Sequence, residues 1–148
     1  MKKGIIIITL LTIISCTTVN LSIGETYSIK NGMQKPEKIF LPNSTYANSI
    51  DVISKDIVFK IGLNKENKII FITTNDLNFE TNGFKINYTM GKEFNKKGKE
   101  QIQGWGQFIL LDSGWYAAFD YKDTINENSK IKWFFKFDFS ESNAKLKI

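Results

Sequence analysis

The last third of the chain alternates between apolar and polar residues with a period of two. In segment 130–139, five apolar side chains share one side of an extended strand, while Phe134 shares the other side with Lys132 and Lys136. The five are Ile131, Trp133, Phe135, Phe137 and Phe139. Because successive side chains of a strand point to opposite faces, the pattern predicts one face against a core and one in water.

Two apolar runs precede this strand, at 105–111 and 115–121, with the turn sequence Asp112-Ser113-Gly114 between them. The three segments together predict a three-strand antiparallel meander with one wet face. Farther upstream, segment 57–63 has an apolar residue at every odd position, and 68–74 is apolar on both sides, which indicates a central strand.

Helical signals are weaker. Thr89 can cap a short helix over 89–97 that Gly98 ends, with Met90 and Phe94 on its inner face. Segment 43–54 fits either a loop or a short helix. The expected fold class is therefore α+β: an antiparallel sheet of about five or six strands ending in the meander, with one or two short helices on one face.

The N-terminus has the zone order of a secretory signal peptide. Lys2 and Lys3 precede an apolar run that ends at Ile14, and Ser15 directly precedes Cys16. The run is shorter than the ~20 residues that span a bilayer. A buried strand or helix with an incidental cysteine is the alternative interpretation of this segment.

The stretch Ile13-Ile14-Ser15-Cys16 resembles a bacterial lipobox. The resemblance implies cleavage before Cys16 and lipidation of its thiol, and two or more acyl chains would anchor the protein stably. Thr17 at the next position resembles the pattern that directs lipoproteins to the outer membrane of Gram-negative cells. The expected organisation is a signal peptide over 1–15, a lipidated N-terminus and tether over 16–25, and one globular domain over 26–148.

Composition removes several function classes. The 133 residues after the leader suffice for a real core, and the single cysteine allows no disulfide within the chain. The sequence has no histidine, which excludes Ser-His-Asp, Cys-His and His-zinc sites. All 20 basic residues are lysines and they are scattered, which argues against nucleic acid as a partner. No cofactor is implied.

Order and spacing of elements over roughly residues 57–137 resemble a group of small, uncharacterised lipoproteins of the Bacteroidetes type. The matching positions are Thr74, Phe79, Thr81, Gly83, Gly104 and Gly106. Asn87 stands where that pattern has a further glycine, and asparagine also tolerates the left-handed conformation. At fold level, the layout is similar to lipoproteins of the SmpA/OmlA type and to domains of the β-lactamase-inhibitor-protein type, an analogy that carries no site.

Aromatic side chains are the main candidates for a binding surface. Eleven of the twenty lie between Trp105 and Phe139. Trp115 and Trp133 are expected in the core, because large aromatics bury the most area. Trp105, between two glycines, and Tyr116 and Phe134, opposite the main apolar row, form the predicted binding surface.

Acidic candidates are weaker. Asp112 and Asp120 could form a carboxylate pair for hydrolysis. An oxygen-rich loop could hold Ca²⁺, but its spacing does not match an EF-hand and a solvated loop is the better interpretation. This loop contains Asp120, Asp123, Asn126, Glu127 and Asn128.

The sequence therefore predicts a lipid-anchored protein of the bacterial envelope that binds another envelope protein without catalysis, in assembly or inhibition. A tether raises the effective concentration of such a module at a surface. The alternatives are a glycan or small-ligand binder that uses the aromatics, and, less favoured, a carboxylate-dependent hydrolase. The expected partners are the membrane, through lipid at Cys16, and an envelope protein.

Overall fold

The structure, a computed structural model, describes residues 21–28, 36–102, 104–121, 124–139 and 146–147. The predicted signal peptide, Cys16 and Asp123 lie outside these residues. Within them the chain forms eleven strands: β1 Glu37–Phe40, β2 Tyr46–Ser54, β3 Ile57–Leu63, β4 Ile69–Thr74, β5 Glu80–Thr81, β6 Phe84–Lys85, β7 Lys99–Ile102, β8 Gly106–Leu110, β9 Tyr116–Ala118, β10 Trp133–Phe137 and β11 Leu146–Lys147.

One large antiparallel sheet dominates the fold. Its strand order is β1-β2-β3-β4-β10-β9-β8-β7-β11, so eight main strands are extended at one edge by the two residues of β11. β5 and β6 form a separate two-stranded hairpin. The predicted meander is confirmed as the β8-β9-β10 part of this sheet, and β4 is central, between β3 and β10.

The predicted α+β class is wrong, because the fold is almost entirely antiparallel β. The helical element within the described ranges is a single 3-10 helix, Gly91–Lys96, that buries Phe94. Gly91 begins it with a φ of 54° and Lys97 is already extended, so the α-helix predicted over 89–97 does not form. Segment 43–54, predicted as loop or helix, instead supplies strand β2.

Both faces of the sheet are covered, which overturns the prediction of one wet face. We call the face that carries Ile61, Ile72 and Phe134 the lid face. Segments that connect the strands cover this face with buried side chains. These side chains are Phe79, Ile86, Met90, Phe94 and Ile125. We call the opposite face, with Phe71 and Phe135, the groove face; its buried cluster also contains Leu41, Ala47, Ile102, Phe108, Tyr116 and Ala118.

The sheet curls so that its two ends approach each other over the groove face. Trp105, in the β7–β8 turn, lies 5.5 Å from Phe71 of β4, measured between ring centroids. Three strand spacings separate β8 from β4, about 14 Å in a flat sheet, so a flat sheet would not allow this contact. The same β7–β8 turn also approaches β1, the strand at the other edge of the sheet. A Cβ added to Gly104 in this turn would lie 3.8 Å from the ring of Phe40 in β1.

The segment before β1 is bound to the sheet rather than projecting from it. Gly24 N–H donates to the Ile69 carbonyl at 2.7 Å, and Tyr27 N–H donates to the Asn67 carbonyl at 2.8 Å. Leu21 and Ile23 pack against the lid-face core, and Tyr27 is buried in it. Residues 21–25, which the predicted tether included, are therefore bound to the domain.

Candidate functional site

A groove of about 500 Å³ opens on the groove face, at the end of the sheet where β3 begins and β4 ends. Strands β1 to β4, β10 and the β7–β8 turn all contribute to its walls. Its apolar lining comes from Ile39, Val58, Phe71, Trp105 and Trp133, and its polar lining includes Asp51, Lys60, Thr73, Asn75 and Lys132. Apolar and aromatic walls with a few convergent polar groups are typical of small-ligand sites.

Trp105 reaches the groove because the β7–β8 turn folds over the sheet. Its ring packs on Phe71 and on Phe135, with both centroid distances 5.5 Å, and the residue stays half-buried. Gly104 and Gly106 flank it with φ values of 83° and 85°, which fit glycine. The indole Nε1 is buried and has no hydrogen-bond acceptor among the described residues, so Trp105 contributes packing rather than a hydrogen bond to that part of the fold.

Trp133, at the start of β10, also belongs to the aromatic lining of the groove. It is half-buried, whereas its neighbours Phe134 and Phe135 are completely buried. Strand pairing aligns Trp133 with Ala118 of β9, and the small alanine leaves space beside the indole. The groove thus has two partly exposed tryptophans on its walls.

The polar wall is organised around Lys60. Strand pairing places Lys60 opposite Asp51 of β2 and Thr73 of β4. Its ammonium lies 3.1 Å from Asp51 Oδ1 and 3.1 Å from Glu37 Oε2. Burial by itself would lower the pKa of Lys60, but the hydrogen bonds and charges of the two carboxylates outweigh burial and raise it. The ammonium is held in place while the outer lone pairs of both carboxylates face water.

Hydrogen bonds fix the rim of the groove at the end of β4. Thr74 Oγ1 donates to the Val58 carbonyl at 2.7 Å, and Val58 N–H donates to Asp76 Oδ2 at 3.0 Å. Asn78 N–H donates to Asp76 Oδ1 at 2.9 Å. These backbone donors, the Val58 one first, hold the pKa of Asp76 below its usual range. These hydrogen bonds connect the start of β3 to the end of β4 at the groove rim.

Of the predicted surface aromatics, only Trp105 lines the groove. Tyr116 and Phe134 are buried, at 6% and 0% exposure, so the prediction that they lie at the surface is wrong. Phe134 points into the lid-face core, and Tyr116 stacks on Phe135 beneath the groove face. Alternation predicted that both side chains are exposed to solvent, but both faces of the sheet are covered at these positions.

Two tryptophans expected in the core are instead only partly buried. Trp133 lines the groove, as described above. Trp115 lies on the lid face, where its ring packs 4.8 Å from Phe79 and the ammonium of Lys136 sits 5.1 Å above it. Lys136 of segment 130–139 therefore makes a cation–aromatic contact, whereas Lys130 and Lys132 are exposed.

Sequence reasoning missed the polar groove residues. Alternation placed Lys60 opposite the core-facing side of β3, but Asp51 lay in a segment read as loop or helix. Only the β2–β3 register brings the two together. Glu37 joins them from a third strand, 23 positions away from Lys60 in sequence.

The predicted carboxylate pair does not assemble, whereas three members of the candidate calcium loop, Asp120, Asn126 and Asn128, line one cavity of about 630 Å³. Lys130 and Lys132 line the same cavity, and their positive charges disfavour a cation there. Asp112 and Asp120 lie before and after β9, at its opposite ends, and Asp112 pairs with Lys97 at 2.7 Å. In the candidate calcium loop, Asn126 Oδ1 accepts the N–H of Asn128 at 2.9 Å. No group of three metal-ligating acidic, cysteine or histidine side chains occurs among the residues described.

No protein-family model, curated protein or solved structure matches the chain. In the described part of the chain, no helix has the length and apolar character needed to cross a membrane. The resemblance to small lipoproteins of the Bacteroidetes type stays a prediction.

Proposed function

We propose that this protein is a lipid-anchored binding protein of the bacterial envelope and that its groove binds a saccharide. The observation that carries the proposal is that two half-buried tryptophans, Trp105 and Trp133, line one groove together with the Asp51–Lys60 ion pair. The volume of about 500 Å³ falls within the roughly 300–1,000 Å³ of small-ligand sites.

Saccharides present two kinds of surface that such a groove complements. The C–H face of a pyranose ring packs on an aromatic face, which carries the negative part of the ring quadrupole. Hydroxyl groups at the ring edge both donate and accept, so they bond to carboxylates, to an ammonium and to threonine or asparagine side chains. Asp51, Lys60, Thr73 and Asn75 supply these partners beside the tryptophans.

The anchor is the second part of the proposal. It is supported by the basic start, the short apolar run and the Ile13-Ile14-Ser15-Cys16 stretch. Replacement Cys16→Ser should abolish labelling by a fatty-acid probe and remove the protein from the membrane fraction. Unchanged labelling and fractionation would refute the anchor without touching the groove.

Saccharide binding is tested on the domain from Leu21 onward, by calorimetry and tryptophan emission with a panel of soluble neutral and acidic oligosaccharides. At least one saccharide should bind, and Trp133→Ala should weaken it by tenfold or more while the domain stays folded. Trp115→Phe, on the lid face, is the matched control and should leave affinity unchanged. Absence of binding across the panel, or equal loss in both variants, would refute a saccharide groove.

A second candidate, binding of another envelope protein, is favoured by one observation. Ile53 and Val58 are paired across the β2–β3 hairpin and are 67% and 47% exposed, next to the groove rim. Crosslinking in intact envelopes followed by capture tests it. An Ile53→Asp variant that loses a captured protein but keeps saccharide affinity would assign this edge to a protein partner.

A further inference from the structure

The N-terminal segment enters the domain at the β3–β4 turn end of the sheet, where Ile23 and Gly24 also border Ile70 and Phe137. Leu21 and Ile23 pack on the lid-face core, whereas the groove lies on the groove face. Thr26 forms a β-bridge with Lys68, and Ile69 N–H donates to the Glu25 carbonyl at 2.8 Å. The chain is therefore bound at the β3–β4 turn end of the sheet, while the groove opens at the other end of β3 and β4.

Few residues separate this bound segment from the proposed lipid. From Cys16 to Leu21 there are five residue steps, which span at most about 18 Å when fully extended. A domain of this size is about 35 Å across. Five residues would have to be almost fully extended for the groove rim, at the far end of β4, to reach the bilayer.

We infer that the short connection holds the β3–β4 turn end of the domain toward the membrane and presents the groove, at the other end of β3 and β4, to the aqueous space. This inference rests on the proposed anchor and narrows the ligand class. The groove takes a water-borne saccharide or a polymer that lies beyond the bilayer, and not the head group of a glycolipid in the leaflet that holds the anchor. Strand β4, from Ile69 to Thr74, is about 17 Å long, and this length separates the end of the sheet that binds the N-terminal segment from the groove rim.

Lipidated full-length protein in vesicles tests the orientation. Lipidation converts Cys16 to a thioether, so a dye can be placed on a single new thiol at Lys65→Cys, in the β3–β4 turn, or at Ile53→Cys, at the groove rim. Both positions are exposed. A head-group nitroxide lipid should quench the Lys65 dye severalfold more than the Ile53 dye. Equal quenching, or stronger quenching at Ile53, would overturn the inference.

A longer connection tests whether its length is the cause. Insertion of about 20 Gly/Ser residues between Asn20 and Leu21 raises the r.m.s. reach to about 25–30 Å and the extended reach well beyond the domain width. The difference in quenching between the two dyes should then shrink. A difference that persists unchanged would show that the connection does not set the orientation.

Two variants separate this inference from the proposed function. Cys16→Ser should remove the protein from vesicles altogether, and continued association would refute the anchor instead. Trp133→Ala should lose saccharide affinity with the quenching pattern intact. If quenching follows the prediction while no saccharide binds, the orientation stands and the saccharide proposal falls.

Discussion

Phe134 of β10 packs against Phe79, with ring centroids 5.3 Å apart and ring planes at 60°. The two residues are 55 positions apart, and Phe79 comes from the segment that precedes the β5–β6 hairpin. This contact is why the sheet face that alternation assigned to water is dry. The hairpin itself is fastened to the β8–β9 turn, because Ser113 N–H donates to Asn82 Oδ1 at 2.9 Å.

Phe134→Ala should therefore destabilise the domain by about 3–5 kcal/mol, the usual cost of removing a fully buried large aromatic and leaving a cavity. Trp133→Ala should cost less, since Trp133 is only half-buried beside the groove. Urea melts of the two variants decide the order. A larger loss in Trp133→Ala would mean that the indole is buried in solution and that the groove is closed.

Gly62→Ala should also be destabilising, by about 1–3 kcal/mol, as overpacking usually is. A Cβ at Gly62 would lie 3.1 Å from Phe71 Cβ and 3.6 Å from side-chain carbons of Ile39 and Leu41. Gly98→Ala is the matched control, because no atom of the described residues lies within 4 Å of the added carbon there. Thermal melts should show a lowered Tm for Gly62→Ala alone; a similar Tm for both variants would contradict the tight contact.

Truncation should separate the connecting segment from the bound segment. A chain that starts at Leu21 keeps every described contact of the domain, whereas one that starts at Ser28 lacks Leu21, Ile23 and Tyr27. Full burial of one large apolar side chain contributes roughly 1.5–3 kcal/mol, so the shorter chain should lose several kcal/mol of unfolding free energy. Equal urea midpoints would show that the segment does not pack on the lid face in solution.

Alkaline pH should weaken the fold through Tyr27. Burial raises the pKa of Tyr27 above its ordinary 10.0, so the folded state keeps the phenol proton longer than the unfolded state does. The resulting stability is fully present below the unfolded value and is lost as pH rises through the folded pKa. The raised pKa of Lys60 acts in the same direction.

Urea midpoints between about pH 9 and pH 11 should therefore fall for the parent domain, and Tyr27→Phe should make the fall shallower. Tyr46→Phe, at a tyrosine that is 69% exposed, is the matched control. A slope unchanged by Tyr27→Phe would show that Tyr27 is solvated in the folded domain.

Much of the strand content could be predicted from local pattern. Segment 57–63 forms β3 with Phe59, Ile61 and Leu63 buried on one side, as alternation predicted. The turn at 64–67 is closed by Asn67 N–H donating to the Asn64 carbonyl at 3.1 Å. Strand β2 was missed because its two sides both mix apolar and polar residues: Ile53 is exposed and Ser49 is buried.

For the candidate site, sequence pointed to Trp105 alone, through its flanking glycines. Trp133 belonged to an apolar row of five, and nothing local distinguishes a half-buried member from a buried one. The Lys60 cluster joins residues of β1, β2 and β3, so it exists only in the register of the sheet. Contacts that depend on pairing and curl leave no periodic signal in the chain.

The sequence by itself determined the β-strand period, the tight turns and the apolar rows, because these depend on neighbours two to four positions apart. It also carries the proposed anchor at Cys16, which is a linear motif. Only the tertiary structure decided which rows are covered, since coverage of Phe134 depends on Phe79 and Ile125 from distant segments. The tertiary structure also decided that the sheet curls until Trp105 contacts Phe71, and this curl forms the groove. Burial of a side chain depends on the assembled fold and not on its neighbours in sequence.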